Sequence, residues 1–260
     1  MMHVVMYSSG IGSWAAAKRV AAQHGTENLI LLFADTLIED EDNYRFLEES
    51  AAEVGGTLVR VADGRDPWQV YRDKRWIGNA RLAPCSHELK QKPCRKWLEE
   101  NDPHHEATLY VGIDWTEAHR LPAIEKAWQP WKVEAPLTKA PYLDKLQLLD
   151  MARTINPPNM YNKNFAHANC GGFCSRGGQS HFANLLKHYP ERYLHHEQKE
   201  QELREYLDKD IAILKEQVKN EKIPLTLAEL RRRIESRPNQ LDLFDWGGCG
   251  CFASGEEVTA

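Results

Sequence analysis

The sequence of 260 residues lacks the features that mark membrane and secreted proteins. No apolar run approaches the roughly 20 residues that an α-helix needs to cross a bilayer. Met1, Met2 and His3 lead directly into an apolar segment, without the charged and apolar regions of a secretion signal. We therefore expect a cytoplasmic protein with no membrane partner.

The sequence also lacks an excess of positive charge. Lysine and arginine number 33 against 38 aspartate and glutamate residues, which gives a formal net charge of −5. A chain with this balance has no general attraction for nucleic acids or anionic membranes. Six cysteines in a cytoplasmic protein are expected to be metal ligands or redox groups rather than structural disulfides.

A short segment rich in glycine and serine, residues 8–13, lies between an apolar run and an alanine-rich helical pattern. It has neither the lysine of a Walker A loop nor the three glycines of the dinucleotide fingerprint. At a strand–turn–helix junction, the free N–H groups of the first helical turn attract anions, and glycines let the backbone approach the ligand. The segment therefore predicts a phosphate-binding loop. Its predicted binding residues are Ser8, Ser9, Gly10, Gly12 and Ser13.

Apolar runs at 3–7, 29–34, 57–61 and 108–113 alternate with helical patterns. This alternation predicts an α/β fold with a doubly wound, mostly parallel sheet. Ligands bind such sheets beyond the carboxyl ends of the strands. Residues at and beyond the strand ends are therefore expected to share one crevice with the loop. They are Asp35, Thr36, Gly112, His119 and Arg120.

The C-terminal part of the sequence has a different pattern. Charge alternates along a helical stretch over 179–219, and a capping box at 226–229 starts a further helix. The final segment is too apolar and too rich in cysteine to be a disordered end. We therefore predict a nucleotide-binding domain over 1–178 and a helical extension over 179–260, whose cysteine-containing tail packs back on the domain.

The order Ser-Ser-Gly-Ile-Gly-Ser at 8–13 resembles the pyrophosphate loop, or PP-loop, of the adenine nucleotide alpha-hydrolase superfamily, which reads Ser-Gly-Gly-x-Asp-Ser. Ser9 stands where a glycine is usual, and Gly12 stands where many members carry aspartate. The missing aspartate favours the sulfonucleotide reductase branch of the superfamily. The resemblance implies that an adenine nucleotide binds at the loop.

Further segments resemble the phosphoadenosine phosphosulfate (PAPS) reductase family, in the same order along the chain. Residues 33–36 are similar to the family's Phe-x-Asp-Thr-Gly, with Leu37 in place of the glycine. Residues 85–90 are similar to a segment that carries Cys-Cys and then a lysine, with Ser86 in place of the second cysteine. Residues 112–120 keep the glycine and the terminal arginine of Gly-x-Arg-x-x-Glu-Ser-x-x-Arg.

The last of these segments runs over 136–174. It is similar to the family's Asn-Pro-Leu, Ile-Pro, Leu-Tyr and Gly-Cys-x-x-Cys elements, with one residue added between the cysteines. Together the segments cover the chain to about residue 180. The resemblance implies that Lys90 and Arg120 help the loop to hold the nucleotide, which is PAPS, adenylylsulfate or ATP.

The resemblance also implies an iron–sulfur cluster of the [4Fe–4S] type, held by cysteine thiolates. The implied ligands are Cys85, Cys170 and Cys174. Cys94 lies nine residues beyond Cys85, about 13 Å along a helix, which is too far for the same cluster. We therefore expect the tail to supply the fourth ligand, and the resemblance implies a nucleophilic cysteine on such a tail. We assign Cys249 as the ligand and Cys251 as the catalytic nucleophile, and the exchange of these two roles is the alternative. A structural four-cysteine zinc site and free thiols are the alternatives.

Three functions follow from these features. The first is a sulfonucleotide reductase-like oxidoreductase of sulfur metabolism, in which the nucleophilic cysteine attacks the sulfur of PAPS or adenylylsulfate and a thiol electron donor completes the release of sulfite. The second is an ATP pyrophosphatase that adenylates a nucleic-acid base or a small substrate for sulfur or nitrogen transfer. The third is a catalytically inactive nucleotide-binding protein whose long charged helices hold a partner.

Overall fold

The computed structural model describes residues 1–79 and 82–236. The predicted tail, with Cys249 as a cluster ligand and Cys251 as the nucleophile, lies outside the described residues. Within the described ranges, no helix combines the length and the apolar character needed to cross a membrane.

Five parallel strands form the central sheet, in the order β3-β2-β1-β4-β5. The strands are β1 (His3–Met6), β2 (Leu29–Asp35), β3 (Thr57–Ala62), β4 (Thr108–Tyr110) and β5 (Lys132–Glu134). Each of the four apolar runs in the sequence forms a strand, which confirms the doubly wound α/β fold. β5 was not predicted, because in this three-residue strand only Val133 is buried.

Helices cover both faces of the sheet. They are α1 (Ile11–His24), α2 (Glu41–Val54), α3 (Pro67–Lys74), α4 (Pro84–Ser86), α5 (Lys92–Asn101), α6 (Leu121–Trp128), α7 (Lys145–Met151), α8 (Gln179–His188), α9 (Pro190–Leu207) and α10 (Leu227–Ser236). A π-helical turn over His87–Gln91 joins α4 to α5. The chain from Cys85 to Cys94 is therefore helical, as the distance between these two cysteines was predicted to require, with this turn inside it.

The strand order creates a switch point between β1 and β4. Trp14 and Val20 of α1 belong to the apolar core on one face of the sheet, whereas Leu98 of α5 and Ile124 of α6 belong to the core on the other face. The chain thus leaves the neighbouring strands β1 and β4 toward opposite faces. A ligand crevice is expected where such neighbours diverge, beyond their carboxyl ends.

The C-terminal elements form a third apolar core, in which Phe173 and Phe182 pack with their ring centroids 6.1 Å apart. The prediction of helix as far as residue 219 is wrong, since α9 ends at Leu207 and an antiparallel hairpin follows. The hairpin consists of β6 (Leu214–Val218) and β7 (Glu221–Leu225). Its two turn residues, Lys219 and Asn220, both have positive φ, which suits a tight hairpin.

The start of α10 agrees with the sequence. The Thr226 hydroxyl accepts the Glu229 N–H at 3.2 Å, as the capping box at this position predicts. The division of the chain at residue 178 into a domain and an extension remains a prediction.

Candidate functional site

The predicted phosphate loop connects β1 to α1 and is shaped by its own serines. Ser9 has a left-handed backbone, with φ of 54°. Its hydroxyl donates to the Ser8 carbonyl oxygen at 2.6 Å and accepts from Asn43 Nδ2 at 2.7 Å. The Ser13 hydroxyl donates to the Gly10 carbonyl oxygen at 2.9 Å. Because these two hydroxyls are engaged in the loop, the N–H groups in the first turn of α1 are the main donors to an anion.

The loop meets the exit of β4 through two glycines. A Cβ atom built on Gly12 would lie 2.6 Å from the carbonyl oxygen of Gly112, and one built on Gly112 would lie 2.6 Å from the amide nitrogen of Ser13. Neither position has room for a side chain at these distances. An aspartate at position 12, as in the pyrophosphate loop that the sequence resembles, would clash with the exit of β4 in this structure.

A cavity of about 440 Å³ opens at the carboxyl edge of the sheet, between the ends of β1 and β4. It lies at the switch point of the sheet, where α/β proteins bind their ligands. We call it the nucleotide cavity, after the ligand that the sequence predicts for its loop. Several residues predicted from the sequence line it: Ser8, Gly10, Gly12, Ser13, Gly112 and Arg120. Other lining residues were not predicted as binding residues: Asp114, Glu117, Lys145, Tyr161, His167 and Asn169.

Arg120 lies at the end of a 3₁₀ helix, Trp115–Arg120, that follows β4. Its guanidinium pairs with the carboxylate of Glu117 in the same helix, so a carboxylate already balances its charge. Asp114 caps this helix with its side chain. The predicted His119 is exposed, and its neighbour Arg120 lines the nucleotide cavity instead.

Lys145 reaches the nucleotide cavity from the start of α7. Its Nζ donates to the carbonyl oxygens of Phe165 and Ala166, at 3.4 and 2.5 Å, and lies 4.7 Å from the centre of the Tyr161 ring. Burial lowers the pKa of Lys145. The Tyr161 hydroxyl accepts the Ile11 N–H, in the first turn of α1, at 3.0 Å. One tyrosine side chain thus connects Lys145 to the positive end of α1.

His167 adds an uncharged polar group to the nucleotide cavity. Burial, together with the charges of His181 and Lys145, lowers the pKa of His167 to about 3. The His181 ring stacks on it with centroids 6.3 Å apart and donates from Nε2 to the Gly172 carbonyl oxygen at 2.7 Å. His167 is therefore a neutral imidazole near pH 7, which offers a ligand hydrogen bonding without charge.

Besides Ser9 and His119, three further predicted nucleotide-binding residues do not line the nucleotide cavity. Asp35 ends β2 and accepts the Tyr44 hydroxyl at 2.7 Å. Thr36 and Lys90 line a second, smaller cavity. The reason is the strand order, because the crevice opens between β1 and β4, whereas β2 lies on the other side of β1. The end of β2 thus lines the smaller cavity, through Thr36, and does not line the nucleotide cavity.

The smaller cavity, of about 20 Å³, brings together three cysteines from distant parts of the chain. Cys85, Cys170 and Cys174 all line this cysteine cavity. The Tyr71 hydroxyl donates to Cys85 Sγ at 3.2 Å, and Lys90 Nζ lies 3.5 Å from Cys170 Sγ. A nearby cation stabilises the thiolate form of a cysteine.

The turn at Asn169 and Cys170 contributes one residue to each cavity. Asn169 lines the nucleotide cavity, and Cys170 lines the cysteine cavity. The turn is left-handed at Cys170 and at the two glycines that follow, with φ of 56°, 56° and 79°. The Glu39 carboxylate holds this turn by accepting the Cys170 N–H at 2.5 Å. Burial raises the pKa of Glu39, although the charge of Lys90 opposes the rise.

The described cysteines do not by themselves form a metal centre. In residues 1–79 and 82–236, no group of three or more His, Cys, Asp or Glu side chains is arranged to hold a metal ion. Cys94 is buried in an apolar core, and this burial raises its pKa to about 12. It is therefore a core thiol, whereas the other three cysteines line a cavity. The iron–sulfur and zinc predictions thus find no support in the described part of the chain, and the predicted Cys249 and Cys251 lie outside it.

No family model matches the chain, and a search of curated proteins found no match. Among solved structures, the chain is similar to an NH3-dependent NAD synthetase from Campylobacter jejuni, in complex with the nitrate ion. The two share 13% sequence identity over 80% of this chain and 84% of the other, with a TM-score of 0.40. A likeness of this size assigns no function, so the fold rests on the sheet order and the function on the geometry of the two cavities.

Proposed function

We propose that this protein is an enzyme of the ATP pyrophosphatase type, which adenylates an acceptor so that sulfur or nitrogen can replace an oxygen. The observation that carries the proposal is that two adjacent residues, Asn169 and Cys170, line one cavity each, the first containing the phosphate loop and the second containing three cysteines. An enzyme of this type needs both parts, an anion site for the nucleotide and a place for the incoming nucleophile beside it.

The start of α1 supplies the anion site. The first turn of α1 has no acidic residue, and no side chain caps Gly10, so its positive end is open to a ligand. Tyr161 accepts the Ile11 N–H, which leaves the first-turn amides of Gly12 and Ser13 for a phosphate oxygen. These contacts support an adenine nucleotide with its phosphates at the loop.

One carboxylate favours ATP over a sulfonucleotide. Asp114 lines the nucleotide cavity together with the loop, whereas Glu117, which also lines it, is paired with Arg120. PAPS and adenylylsulfate carry a sulfate with a fixed negative charge, which a carboxylate repels. ATP arrives with Mg²⁺, and carboxylates are ligands that this cation accepts. The same cavity therefore suits MgATP better than PAPS.

The proposed reaction has two steps. An oxygen of the acceptor attacks the α-phosphorus of ATP, the bond from that phosphorus to the bridging oxygen breaks, and pyrophosphate leaves. A nucleophile then attacks the acceptor carbon that bears the adenylated oxygen, and the carbon–oxygen bond breaks to release AMP. Hydrosulfide is the nucleophile that the cysteine cavity favours, because Lys90 beside Cys170 stabilises anionic sulfur.

Release of pyrophosphate from ATP tests the proposal. The full chain is incubated with ATP, hydrosulfide and, in separate reactions, mixed tRNA, DNA and small carbonyl acceptors. We expect pyrophosphate and AMP in equal amounts, and only in the presence of an acceptor. Release of sulfite from PAPS or adenylylsulfate, without pyrophosphate from ATP, would assign the reductase activity instead. Binding of ATP without release of pyrophosphate or sulfite would indicate a catalytically inactive nucleotide-binding protein instead.

A pair of cysteine variants sharpens this experiment. Cys170→Ser is expected to reduce sulfur incorporation more strongly than pyrophosphate release, since Cys170 lines the cysteine cavity and only its neighbour lines the nucleotide cavity. Cys94→Ala is the matched control, because Cys94 lies in the apolar core on one face of the sheet. Equal loss of both products in the two variants would argue against a role for the cysteine cavity.

A further inference from the structure

Lys145 is held at the rim of the nucleotide cavity by the chain around it. Asp144 and Gln147 form a capping box at the start of α7, in which each side chain accepts the backbone N–H of the other at 2.8 Å. Leu148, in the first turn of the same helix, is 3% exposed and packs in the core that contains α1. These contacts fix the first residue of α7, which is Lys145.

The partners of the Lys145 ammonium are all neutral. They are the carbonyl oxygens of Phe165 and Ala166 and the ring of Tyr161. In the ranges that the structure describes, no carboxylate forms an ion pair with Lys145, and burial is the cause of its lowered pKa. A partly buried cation without a counter-charge is unfavourable, and an anionic ligand would offset that cost.

The other basic residues near the nucleotide cavity do not fill this role. Arg120 is paired with Glu117. Lys90 lines the cysteine cavity, and His167 is neutral near pH 7. Among the described residues that line the nucleotide cavity, Lys145 is therefore the cation whose charge no carboxylate balances.

We propose that Lys145 binds the pyrophosphate portion of the nucleotide, between its Nζ and the first turn of α1. This assignment rests on the proposed function and names the group that holds the leaving pyrophosphate. Tyr161 sets the spacing of the site, since its ring lies against Nζ and its hydroxyl lies on the Ile11 N–H. A cation in this place stabilises the negative charge that develops on pyrophosphate as it leaves.

Calorimetric binding of ATP, pyrophosphate and adenosine to the full chain tests the assignment. We expect Lys145→Met to weaken the binding of ATP and pyrophosphate by about 10- to 100-fold, the effect of losing a charged hydrogen bond, and to leave adenosine binding unchanged. Lys145→Arg keeps the charge and should retain most of the affinity. Lys139→Met is the control, because Lys139 lies in the preceding loop, is 69% exposed and pairs with Glu134. Its effect should stay within about twofold.

The outcomes separate this assignment from the proposed function. Equal affinity of the wild type and Lys145→Met for ATP overturns the role of Lys145 and leaves nucleotide binding intact. Absence of ATP binding by the wild type overturns both.

Chemical labelling of the wild type gives a second measurement, which does not depend on how the variant folds. Acetylation of Lys145, followed by mass spectrometry, should be slowed by ATP and by pyrophosphate but not by adenosine, while Lys139 reacts equally in all three. Unprotected Lys145 in the presence of bound ATP overturns the assignment.

Discussion

Gly12 and Gly112 lie in direct contact, so close that a Cβ atom on Gly12 would be 2.6 Å from the Gly112 carbonyl oxygen. The contact joins the start of α1 to the exit of β4 with no side chain between the two backbones. It sets the width of the crevice at the switch point, because both residues line the nucleotide cavity. This close approach requires glycine at both positions.

Alanine at the two glycines of the loop should therefore have different effects. Gly12→Ala forces α1 away from the exit of β4, and we expect it to lower the free energy of unfolding by about 1–3 kcal/mol. Gly10→Ala is the matched control, since a Cβ atom there meets its nearest neighbours at 3.5 Å, an ordinary contact distance. Its effect should stay within about 0.5 kcal/mol. Urea unfolding measures both, and equal stability of the two variants would contradict the contact.

Leu37 and Ser9 keep a glycine-like backbone at two positions where the resembling families carry glycine. Their φ angles are 62° and 54°. A left-handed backbone costs a residue with a Cβ atom roughly 1–2 kcal/mol, and Leu37 is half exposed, so it has few contacts to lose. We expect Leu37→Gly to be about 1 kcal/mol more stable than Leu37→Ala, which keeps the Cβ atom. The melting temperatures should differ by about 2–4 °C.

Ser9→Gly should give a smaller gain than the change at Leu37. The substitution also relieves a left-handed backbone, but it removes the hydroxyl that accepts from Asn43 Nδ2 at 2.7 Å. A buried donor without its partner costs about 1–3 kcal/mol, which offsets the relief.

If Leu37→Gly and Leu37→Ala melted at the same temperature, the backbone at position 37 would not be left-handed.

Much of the sheet could be predicted because its central strands β1, β2 and β4 are largely buried. Continuous apolar runs such as residues 29–34 are typical of parallel strands between two layers of helix. The β6–β7 hairpin was missed because its charges alternate as they do on a solvated helix. Pro224 within β7 was a signal against a helix, and Asn220 was a signal for a turn.

The site was harder to predict, because local sequence patterns do not determine the order of the strands or the contacts between distant parts of the chain. Asp35 follows an apolar strand just as the loop does, yet β2 lies on the far side of β1 from the crevice. Lys145 resembles any exposed lysine at a helix start. It joins the nucleotide cavity only because the chain at Phe165 and Ala166, some twenty residues later, folds over its side chain.

Cys170 and Cys94 should differ strongly in their reaction with iodoacetamide. Lys90 Nζ lies 3.5 Å from Cys170 Sγ and stabilises the reactive thiolate, whereas Cys94 is buried with its pKa raised to about 12. We expect Cys170 to be modified well before Cys94 in the native protein. Lys90→Met should slow the modification of Cys170 by about tenfold, which corresponds to ~1.4 kcal/mol of lost attraction.

Peptide mass spectrometry follows both cysteines, with Lys92→Met as the control. Lys92 lies in the same helical segment and pairs with Glu88 at 2.9 Å. Its removal should leave the rate at Cys170 unchanged. An unchanged rate in Lys90→Met as well would show that the contact of Lys90 with the sulfur has no effect on the thiol.

Glu200, in α9, forms hydrogen bonds that connect this helix to the start of β6 and to the start of α10. Its carboxylate, 1% exposed, accepts the Ile213 N–H at 3.0 Å, just before β6, and the Leu227 N–H at 2.7 Å, at the start of α10. Burial raises the pKa of Glu200 from 4.5 to about 7, although these two N–H groups oppose the rise. The carboxylate therefore changes its charge in the folded protein within the physiological range.

The sign of the resulting pH dependence follows from the raised pKa. Between pH 4.5 and about 7, the folded chain binds more protons at Glu200 than the unfolded chain does. The Glu200 contribution to the free energy of unfolding thus falls as the pH rises through this window, by on the order of 3 kcal/mol, and is constant above it. Glu200→Gln cannot titrate, so urea unfolding at several pH values should show a profile without this decline. Glu202→Gln, at an exposed position of the same helix, is the control and should keep the decline. Parallel profiles for the wild type and Glu200→Gln would show that Glu200 titrates at an ordinary pKa.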